Sequence, residues 1–96
     1  MARIRISSEA ERDIDGIAAH TLGAWGWRQT AEYLTKLEEG IDLLGTNPLI
    51  GRKCDEIQAD LRRFEIGSHV VFYLAETEGI LVVRVLHEHM LPAKHF

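Results

Sequence analysis

The last apolar run of the sequence, ILVVRVLHE from Ile80 to Glu88, restricts the possible folds more than any other segment. It has the length and composition of a β-strand, but its apolar residues occur at both parities of the two-residue period. A strand of this kind is covered on both faces, which predicts a central position in a sheet. One charged residue, Arg84, interrupts the run.

Two more strand-like segments precede this run, and short connections join the three. The segments are LRRFEI and HVVFYLAE, separated by Gly67 and Ser68, and the next turn is centred on Thr77 to Gly79. Connections this short predict antiparallel hairpins. A fourth strand is predicted near the start, where RIRI (Arg3 to Ile6) alternates charged and apolar residues.

Two amphipathic helices are predicted between the first strand and the others. Ser8 and Glu11 have the spacing of a capping box at the start of the first helix, which ends near Gly26. The second helix runs from about Trp27 to Gly45, before Pro48 prevents its continuation. The two helices carry apolar stripes made of Ala10, Ile14, Ile17, Ala18 and Leu22, and of Ala31, Leu34, Leu37, Ile41 and Leu44.

The predicted fold is therefore a single α+β domain, residues 1–96, with the element order β-α-α-β-β-β. A helical hairpin packs on one face of a small, mainly antiparallel sheet. The segment from Gly51 to Asp60 is polar and turn-like, and no further helix remains for the other face. We therefore expect an open apolar patch on that face, of the kind that a partner protein covers.

The charge and cysteine content limit the possible functions. The net charge of −4 provides no basic field for direct binding of nucleic acid. The local cluster of Arg52, Lys53, Arg62 and Arg63 is interspersed with acidic residues, so it is either a solvated surface or a phosphate site. Cys54 is the only cysteine, and no apolar run has the length of a signal core or a membrane span. These features indicate a cytoplasmic protein.

A few polar residues could carry chemistry. Arg84 either pairs with a neighbouring carboxylate or holds an anionic group on the open face. His87 and His89 would share one side of a continuing strand, and His95 would complete a three-histidine metal set, but histidines at a strand end and in a tail are the simpler interpretation. Nothing near His87 resembles a nucleophile with an orienting group. The residues alone thus indicate a binding protein without cofactor or metal.

Four segments, taken in order, resemble one family: GAWGW, NPLIGRKCDEI, LRRFEIGSHVVFY and VVRVLHEHM. They are similar to the ParE family of bacterial type II toxins, within the RelE/ParE superfamily, over about Ile6 to Met90. The resemblance implies the RelE/ParE fold and a hetero-oligomer with a ParD-like antitoxin, which lies along the hairpin and the sheet. It also implies DNA gyrase as the target, inhibited by binding, and contact with DNA only through the antitoxin.

The RelE-like branch of the superfamily supplies the alternative, a ribosome-dependent mRNA endoribonuclease. Its strand commonly reads Gly-x-Tyr-Arg, whereas here Gly67, Ser68 and His69 are followed by Val70, and the tail contains Phe96 but no tyrosine. We therefore expect an inhibitor and not an enzyme. Leu91 and Pro92 depart from the usual ParE continuation, which leaves open a decayed toxin that retains only antitoxin binding.

Two sets of contact residues follow from the resemblance and from expected exposure. The set expected to face the target or to cause toxicity is Arg62, Arg63, Arg84, His87, His89 and Phe96. The set expected to contact the antitoxin is Trp25, Tyr33, Leu37, Phe64, Phe72 and Tyr73. Whether Trp25 and its neighbour Trp27 pack the hairpin or bind a partner is left open.

Overall fold

The structure, a computed structural model that describes residues 2–96, has two helices packed on a five-stranded sheet. The elements are β1 (Arg3–Ile6), α1 (Ser8–Trp25), α2 (Trp27–Thr46), β2 (Arg52–Lys53), β3 (Leu61–Ile66), β4 (His69–Glu76), β5 (Gly79–His87) and a 3-10 turn (Pro92–Lys94). The strand order is β1-β5-β4-β3-β2, and only the β1–β5 pair is parallel. The predicted α+β order and the mainly antiparallel sheet are confirmed, and β2 is an additional short strand in the segment predicted to be turn-like.

The start of α1 differs by one residue from the predicted capping box. Ser7, not Ser8, is the N-cap: its backbone is extended, and its hydroxyl accepts a hydrogen bond from the Ala10 N–H at 3.0 Å. The same hydroxyl donates to the Val83 carbonyl at 2.7 Å. Ser7 therefore begins the helix and attaches that beginning to β5.

Gly26 is the whole link between α1 and α2. Its φ of 86° and ψ of 173° lie in a region that residues with a Cβ rarely adopt. Its N–H donates to the Leu22 carbonyl at 3.0 Å, which closes the last turn of α1. The antiparallel hairpin thus depends on a glycine at this position.

The main core lies between the helical hairpin and one face of the sheet. Apolar residues of both helices pack there against residues of β4 and β5, namely Ile17, Leu37, Ile41 and Leu44 against Val71, Tyr73, Ile80, Val82 and Val85. Tyr73 is fully buried, and its hydroxyl donates to the Pro48 carbonyl and accepts from the Gly51 N–H, both at 2.8 Å. Burial raises the pKa of the Tyr73 phenol. Tyr73 therefore fixes the loop after α2.

The residues of β5 that face the helices change from even-numbered to odd-numbered positions along the strand. Tyr73 is opposite Val82 and Phe72 is opposite Arg84, so Val83 is an additional residue, a β-bulge. As a result Ile80 and Val82 contribute to the main core before the bulge, and Val85 contributes after it. The apolar residues at both parities therefore reflect the bulge as well as the coverage of both faces.

The outer face of the sheet is less open than expected. A loop and the C-terminal tail cover much of it. Cys54 and Ile57, from the loop after β2, pack with residues of β3, β4 and β5 in a second core. In the tail, the Phe96 ring meets the Phe72 ring edge to face, with centroids 5.1 Å apart. The expectation was wrong because it counted only helices as possible covers. No helix among residues 2–96 is both long and apolar enough to span a membrane.

Candidate functional site

Arg84 lies where β5 extends beyond its neighbour β1. β1 pairs with β5 only as far as Val82, so the following edge of β5 has no strand beside it. Asp13 of α1 occupies that place. Its carboxylate accepts from Arg84 Nε at 2.7 Å, from Arg84 Nη2 at 2.8 Å and from the Val85 N–H at 2.9 Å. The third nitrogen, Nη1, donates to the His95 carbonyl at 2.9 Å.

The electrostatics of this pair follow from its surroundings. Burial raises the pKa of Asp13, but the hydrogen bonds from Arg84 and Val85 outweigh that effect and leave the pKa below its ordinary value. The same pairing raises the pKa of Arg84. Of the two interpretations of Arg84, the structure shows the one in which the guanidinium pairs with a neighbouring carboxylate.

Tyr33 and His69 connect the second helix to the β3–β4 turn. The Tyr33 hydroxyl accepts from the Ser68 N–H at 3.1 Å and lies 2.5 Å from His69 Nδ1. The other two partners of the hydroxyl, the Ser68 hydroxyl and the Ile66 carbonyl, are farther away, at 3.3 and 3.4 Å. In the neutral tautomer with the proton on Nε2, Nδ1 of His69 accepts from the Tyr33 hydroxyl. Burial, with a smaller contribution from His87, lowers the pKa of His69. His69 is therefore a neutral, positioned side chain at pH 7.

The histidine groove is our name for the depression between α1 and the ends of β4 and β5. It consists of two adjoining cavities, of ≈ 450 and ≈ 320 Å³, which share Ile17, His20, His69 and His87 as lining residues. The larger cavity extends to Arg84 and Asp13, and the smaller one to Trp25 and Tyr33. The His69 and His87 rings meet edge to face with centroids 5.3 Å apart. The groove therefore brings Arg84 and His87, expected to face the target, close to Trp25 and Tyr33, expected to contact the antitoxin.

The three-histidine metal set considered from the sequence does not form. Among residues 2–96, no group of three or more histidine, cysteine or acidic side chains is arranged to hold a metal ion. Instead, the His87 ring accepts the His89 N–H at Nδ1, at 3.2 Å, and the His95 carbonyl is bonded to Arg84. His89 itself is largely exposed.

The structure brings together only part of the set expected to face the target. Arg63, Phe72 and Arg84 are cross-strand neighbours, and the Phe72 ring contacts both the Arg63 guanidinium and Phe96. Arg62 has a different position, because its guanidinium donates to the Leu49 and Gly51 carbonyls and holds the loop after α2. Target contacts by these residues remain predictions.

The exposure expected for three of the antitoxin residues is wrong. Leu37, Phe72 and Tyr73 are only 2%, 1% and 0% exposed, so they offer no surface to a partner in this conformation. The same apolar and aromatic residue types occur in the core of a protein and at the centre of an interface, so the sequence of a strand does not distinguish the two positions. Trp25, in contrast, is 66% exposed, and Tyr33 and Phe64 are partly buried against the main core.

Sequence reasoning missed Asp13 and His20. Asp13 falls on the apolar stripe of α1, three residues after Ala10 and four before Ile17, so a carboxylate on that stripe was a signal of an internal partner. His20 lies three residues after Ile17 on the same helix face and carried no such signal. The sequence quoted around His69 likewise does not reveal its contact with Tyr33, 36 positions away.

Comparisons with known proteins identify the fold and the family. The sequence matches the family model for "ParE toxin of type II toxin-antitoxin system, parDE" over residues 4–92. It is 41% identical over 90 residues to Toxin ParE1 of Mycobacterium tuberculosis (93% of this chain, 92% of that one). It is 34% identical over 95 residues to Toxin ParE1 of Caulobacter vibrioides (99% and 98%), and 37% identical over 86 residues to Toxin ParE of Escherichia coli (88% and 84%).

Two solved structures share the fold at low sequence identity. A chain of the chromosomal ParDE toxin–antitoxin system from P. aeruginosa superposes with a TM-score of 0.77 at 16% identity, covering 91% of this chain and 96% of that one. A chain of the RelBE2 toxin–antitoxin complex from Mycobacterium tuberculosis superposes with a TM-score of 0.59 at 20% identity, covering 90% and 96%. These two structures show the shared fold, and the family match and the relatives show that the chain belongs to the ParE family of type II toxins.

Proposed function

We propose that this ParE-family toxin inhibits DNA gyrase by binding it, and that a ParD-like antitoxin neutralises the toxin in a hetero-oligomer. In this proposal the antitoxin supplies any contact with DNA, and the toxin acts in the cytoplasm. The proposal is supported by the family match and by the ParE relatives over nearly the whole chain. The choice of binding over RNA cleavage is supported by the bonding of Arg84.

Arg84 is the observation that carries this choice. A nuclease arginine stabilises developing phosphate charge with N–H groups that are free to point at the substrate. Here Nε and Nη2 donate to Asp13, and Nη1 donates to the His95 carbonyl. Cleavage through Arg84 would require the loss of these hydrogen bonds before any phosphate is bound. Arg84 therefore favours a structural role beside a binding surface.

The tyrosines support the same choice. Acid–base chemistry needs a hydroxyl within reach of the substrate. The Tyr33 hydroxyl is bonded to Ser68 and His69, and the Tyr73 hydroxyl is buried between Pro48 and Gly51. In the tail, the Phe96 ring has no proton to donate or accept. Val70, where the RelE-like pattern has an arginine, is buried in the second core.

The test uses the purified, antitoxin-free protein in two parallel assays. One assay measures gyrase supercoiling and the accumulation of cleaved plasmid, and the other follows messenger RNA in a translating extract. We expect loss of supercoiling or trapped cleaved DNA, with intact message, and reversal when a ParD-like antitoxin is added. Cut message with unaffected gyrase would establish the RelE-like alternative and contradict the proposal.

An inactive result in both assays would indicate a decayed toxin or a toxin with a different target. Leu91 is exposed and precedes the 3-10 turn that begins at Pro92, so these are the first residues to replace in that case. Replacing both by the residue types usual in ParE toxins would then restore gyrase inhibition if the tail alone is responsible. Unchanged inactivity would mean that the activity was lost through other residues or that the target is not gyrase, and either result contradicts the proposal.

A further inference from the structure

The loop after α2, residues 47–51, presents two aliphatic side chains to solvent. Leu49 is 69% exposed and Ile50 is 48% exposed, and Leu43, in the last turn of α2, is exposed as well. Single exposed leucines are common on protein surfaces, so exposure alone does not indicate a function. What distinguishes this loop is the set of hydrogen bonds that holds its backbone.

Two side chains of the sheet fix this loop from inside. The Tyr73 hydroxyl donates to the Pro48 carbonyl and accepts from the Gly51 N–H. Arg62 Nη1 donates to the carbonyls of Leu49 and Gly51, at 3.1 and 2.7 Å. A Cβ at Gly51 would overlap the Tyr73 hydroxyl, so glycine allows the close approach of the loop to the sheet. The loop is therefore held in place before any partner binds.

A turn inside the loop adds to this order. The Ile50 N–H donates to the Asn47 carbonyl at 3.2 Å, which closes a four-residue turn with Pro48 at its second position, where proline is favoured. Because the ring of Pro48 fixes φ, the turn has few alternative conformations. A loop that is already ordered loses little conformational entropy on binding, which favours affinity. Exposed aliphatic side chains on such a loop are suited to enter a pocket of another protein.

The basic residues of the adjoining hairpin lie at the end next to the loop. Arg52 directly follows the loop and is opposite Arg63 in the β2–β3 pairing. Lys53 is opposite Arg62, one position further along. Residues 55–60, which contain three carboxylates, form the turn at the other end of this hairpin. The charges are therefore separated along the hairpin, and the positive ones adjoin the loop.

Glu65 compensates only part of this positive charge. Its carboxylate is shared by two of the four basic side chains, Arg52 and Arg63. Arg62 donates to the two loop carbonyls, and no carboxylate of residues 2–96 forms a salt bridge with it. Lys53 makes only a long, exposed contact with a carboxylate, at 3.8 Å. The surface beside the loop is therefore positive on a protein whose net charge is −4.

The loop is distant from the residues expected to contact the antitoxin. Trp25 ends α1 and Tyr33 lies in the first half of α2, whereas the loop follows the end of α2. About 14 residues separate Tyr33 from the loop, which corresponds to about 20 Å at the rise of an α-helix. Binding at the loop and binding at Trp25 should therefore respond to different substitutions.

We propose that the loop after α2 is the element through which the toxin binds gyrase, with Leu49 and Ile50 in an apolar pocket of the target and Arg52 and Lys53 against carboxylates at its rim. This inference rests on the proposed function and specifies which surface of the toxin faces the target. Charge complementarity selects a pocket with an acidic rim. A nucleic acid is a poorer match, because its backbone offers phosphates but no apolar pocket for the two aliphatic side chains.

Matched variants allow a direct test. Leu49→Ala and Ile50→Ala shorten the side chains of the loop, and Leu22→Ala makes the same change at an exposed leucine of α1. Lys53→Gln removes a charge beside the loop, and Lys36→Gln removes an exposed charge from α2. The affinity of each variant for purified gyrase, with and without DNA, and for a ParD-like antitoxin is measured by titration calorimetry at low and high salt. Thermal unfolding first shows that each variant is folded.

We expect Leu49→Ala and Ile50→Ala each to weaken gyrase binding about tenfold, because each removes aliphatic surface that is buried in the complex. Leu22→Ala should weaken it less than about threefold. Lys53→Gln should weaken binding more than Lys36→Gln, and by a larger factor at low salt than at high salt. The affinity for the antitoxin should be the same for all five variants.

Tyr73→Phe separates the order of the loop from its exposed contacts. This variant removes only a buried hydroxyl, but it releases the Pro48 carbonyl and the Gly51 N–H. We expect it to weaken gyrase binding about threefold or more, because the loop must then be ordered on binding. Gyrase affinity equal to that of the unmodified toxin would contradict the role of the fixed loop.

The remaining outcomes are distinguishable. If the unmodified toxin does not bind gyrase, the proposed function and the inference fail together. If it binds but Leu49→Ala and Ile50→Ala have no larger effect than Leu22→Ala, the inference is overturned while the proposed function stands. If the two loop variants weaken antitoxin binding instead, the loop is an antitoxin contact. If affinity is lost only when DNA is present, the basic residues contact DNA, and in both of these cases the inference is likewise overturned.

Discussion

Asp13 of α1 and Arg84 of β5, 71 positions apart in the sequence, form a bidentate ion pair that also holds the Val85 N–H. Both side chains are mostly buried, so the carboxylate and the guanidinium depend on one another for hydrogen bonds. The pair joins the second turn of the first helix to the last strand. It also joins the tail to both, because Arg84 donates to the His95 carbonyl.

Asp13→Asn is expected to lower the free energy of unfolding by about 2 kcal/mol, because it leaves a partly buried guanidinium without its counter-charge. Arg84→Met should cause a similar loss, and the double variant should lose much less than the sum, as expected for two residues in direct contact. Urea unfolding of the four proteins measures these values. Additive losses would contradict a coupled pair, and Arg5→Met, which removes the exposed Arg5–Glu76 pair, is the control with a much smaller effect.

Tyr73→Phe should lower stability without changing antitoxin binding, whereas Trp25→Ala should weaken antitoxin binding with little change in stability. Tyr73→Phe removes the hydroxyl bonded to Pro48 and Gly51, so it should lower stability by about 1–2 kcal/mol and leave antitoxin affinity unchanged. Trp25→Ala should change stability by less than about 0.5 kcal/mol and weaken antitoxin binding about tenfold or more. Denaturation and calorimetry of both variants test this. A weaker complex for Tyr73→Phe alone would place the antitoxin at the core residue after all.

Gly26→Ala should destabilise the protein by about 1–3 kcal/mol, since a Cβ is strained at a φ of 86° and a ψ of 173°. Gly23→Ala, three residues earlier and inside α1, should instead stabilise it by up to about 1 kcal/mol, because alanine is the better helix former and has open space there. The midpoints of thermal unfolding for the two variants should therefore shift in opposite directions. A neutral Gly26→Ala would show that the link between the helices has another conformation.

His69 makes stability dependent on pH. Burial lowers the pKa of His69 in the folded protein, whereas an unfolded histidine has a pKa of about 6.5. The unfolded state therefore binds more protons below pH 6.5, and the contribution of His69 to stability, complete above that pH, decreases as the pH falls through the folded pKa. The groups that face His69 are Tyr33 from α2, His20 from α1, and His87 and Glu88 at the end of β5.

His69→Asn should flatten this pH dependence, because asparagine does not titrate and keeps an acceptor for the Tyr33 hydroxyl. Urea unfolding at pH 7.5, 6.5 and 5.5 compares the slopes of the two proteins. His89→Asn is the control: His89 is largely exposed, so this variant should keep the slope of the unmodified protein. Equal slopes for all three proteins would show that His69 is not the group responsible.

Local patterns were sufficient to predict the order of the helices and strands. The turn at Gly67 and Ser68 and the break at Pro48 are encoded within a few residues, and each predicted element is present within one or two residues of its expected bounds. The parallel pairing of β1 with β5 was not predicted, because it joins residues about 76 positions apart, and no local rule specifies such a partner.

The site was less predictable for the same reason. Arg84 was recognised as unusual, but its partner lies on another element, and only the tertiary fold brings Asp13 to it. Phe72 and Tyr73 are aromatic residues of the kind found at interfaces, but both are buried, on opposite faces of the sheet. Their burial depends on the bulge in β5 and on a covering loop that has no helical pattern. The histidine groove combines residues from α1, α2, β4 and β5, so no single segment of the sequence predicts it.

The short length of β1 has a consequence for association. An unpaired strand edge is a template on which another chain can add a strand, and such additions lead to aggregation or exchange. Along β5 beyond β1, the outward Val82 carbonyl is bonded to the Ser7 N–H, the Val83 carbonyl to the Ser7 hydroxyl and the Val85 N–H to Asp13. The first turns of α1 thus block strand addition along this edge of β5. Replacing Ser7 or Asp13 would expose backbone groups on which another chain could pair.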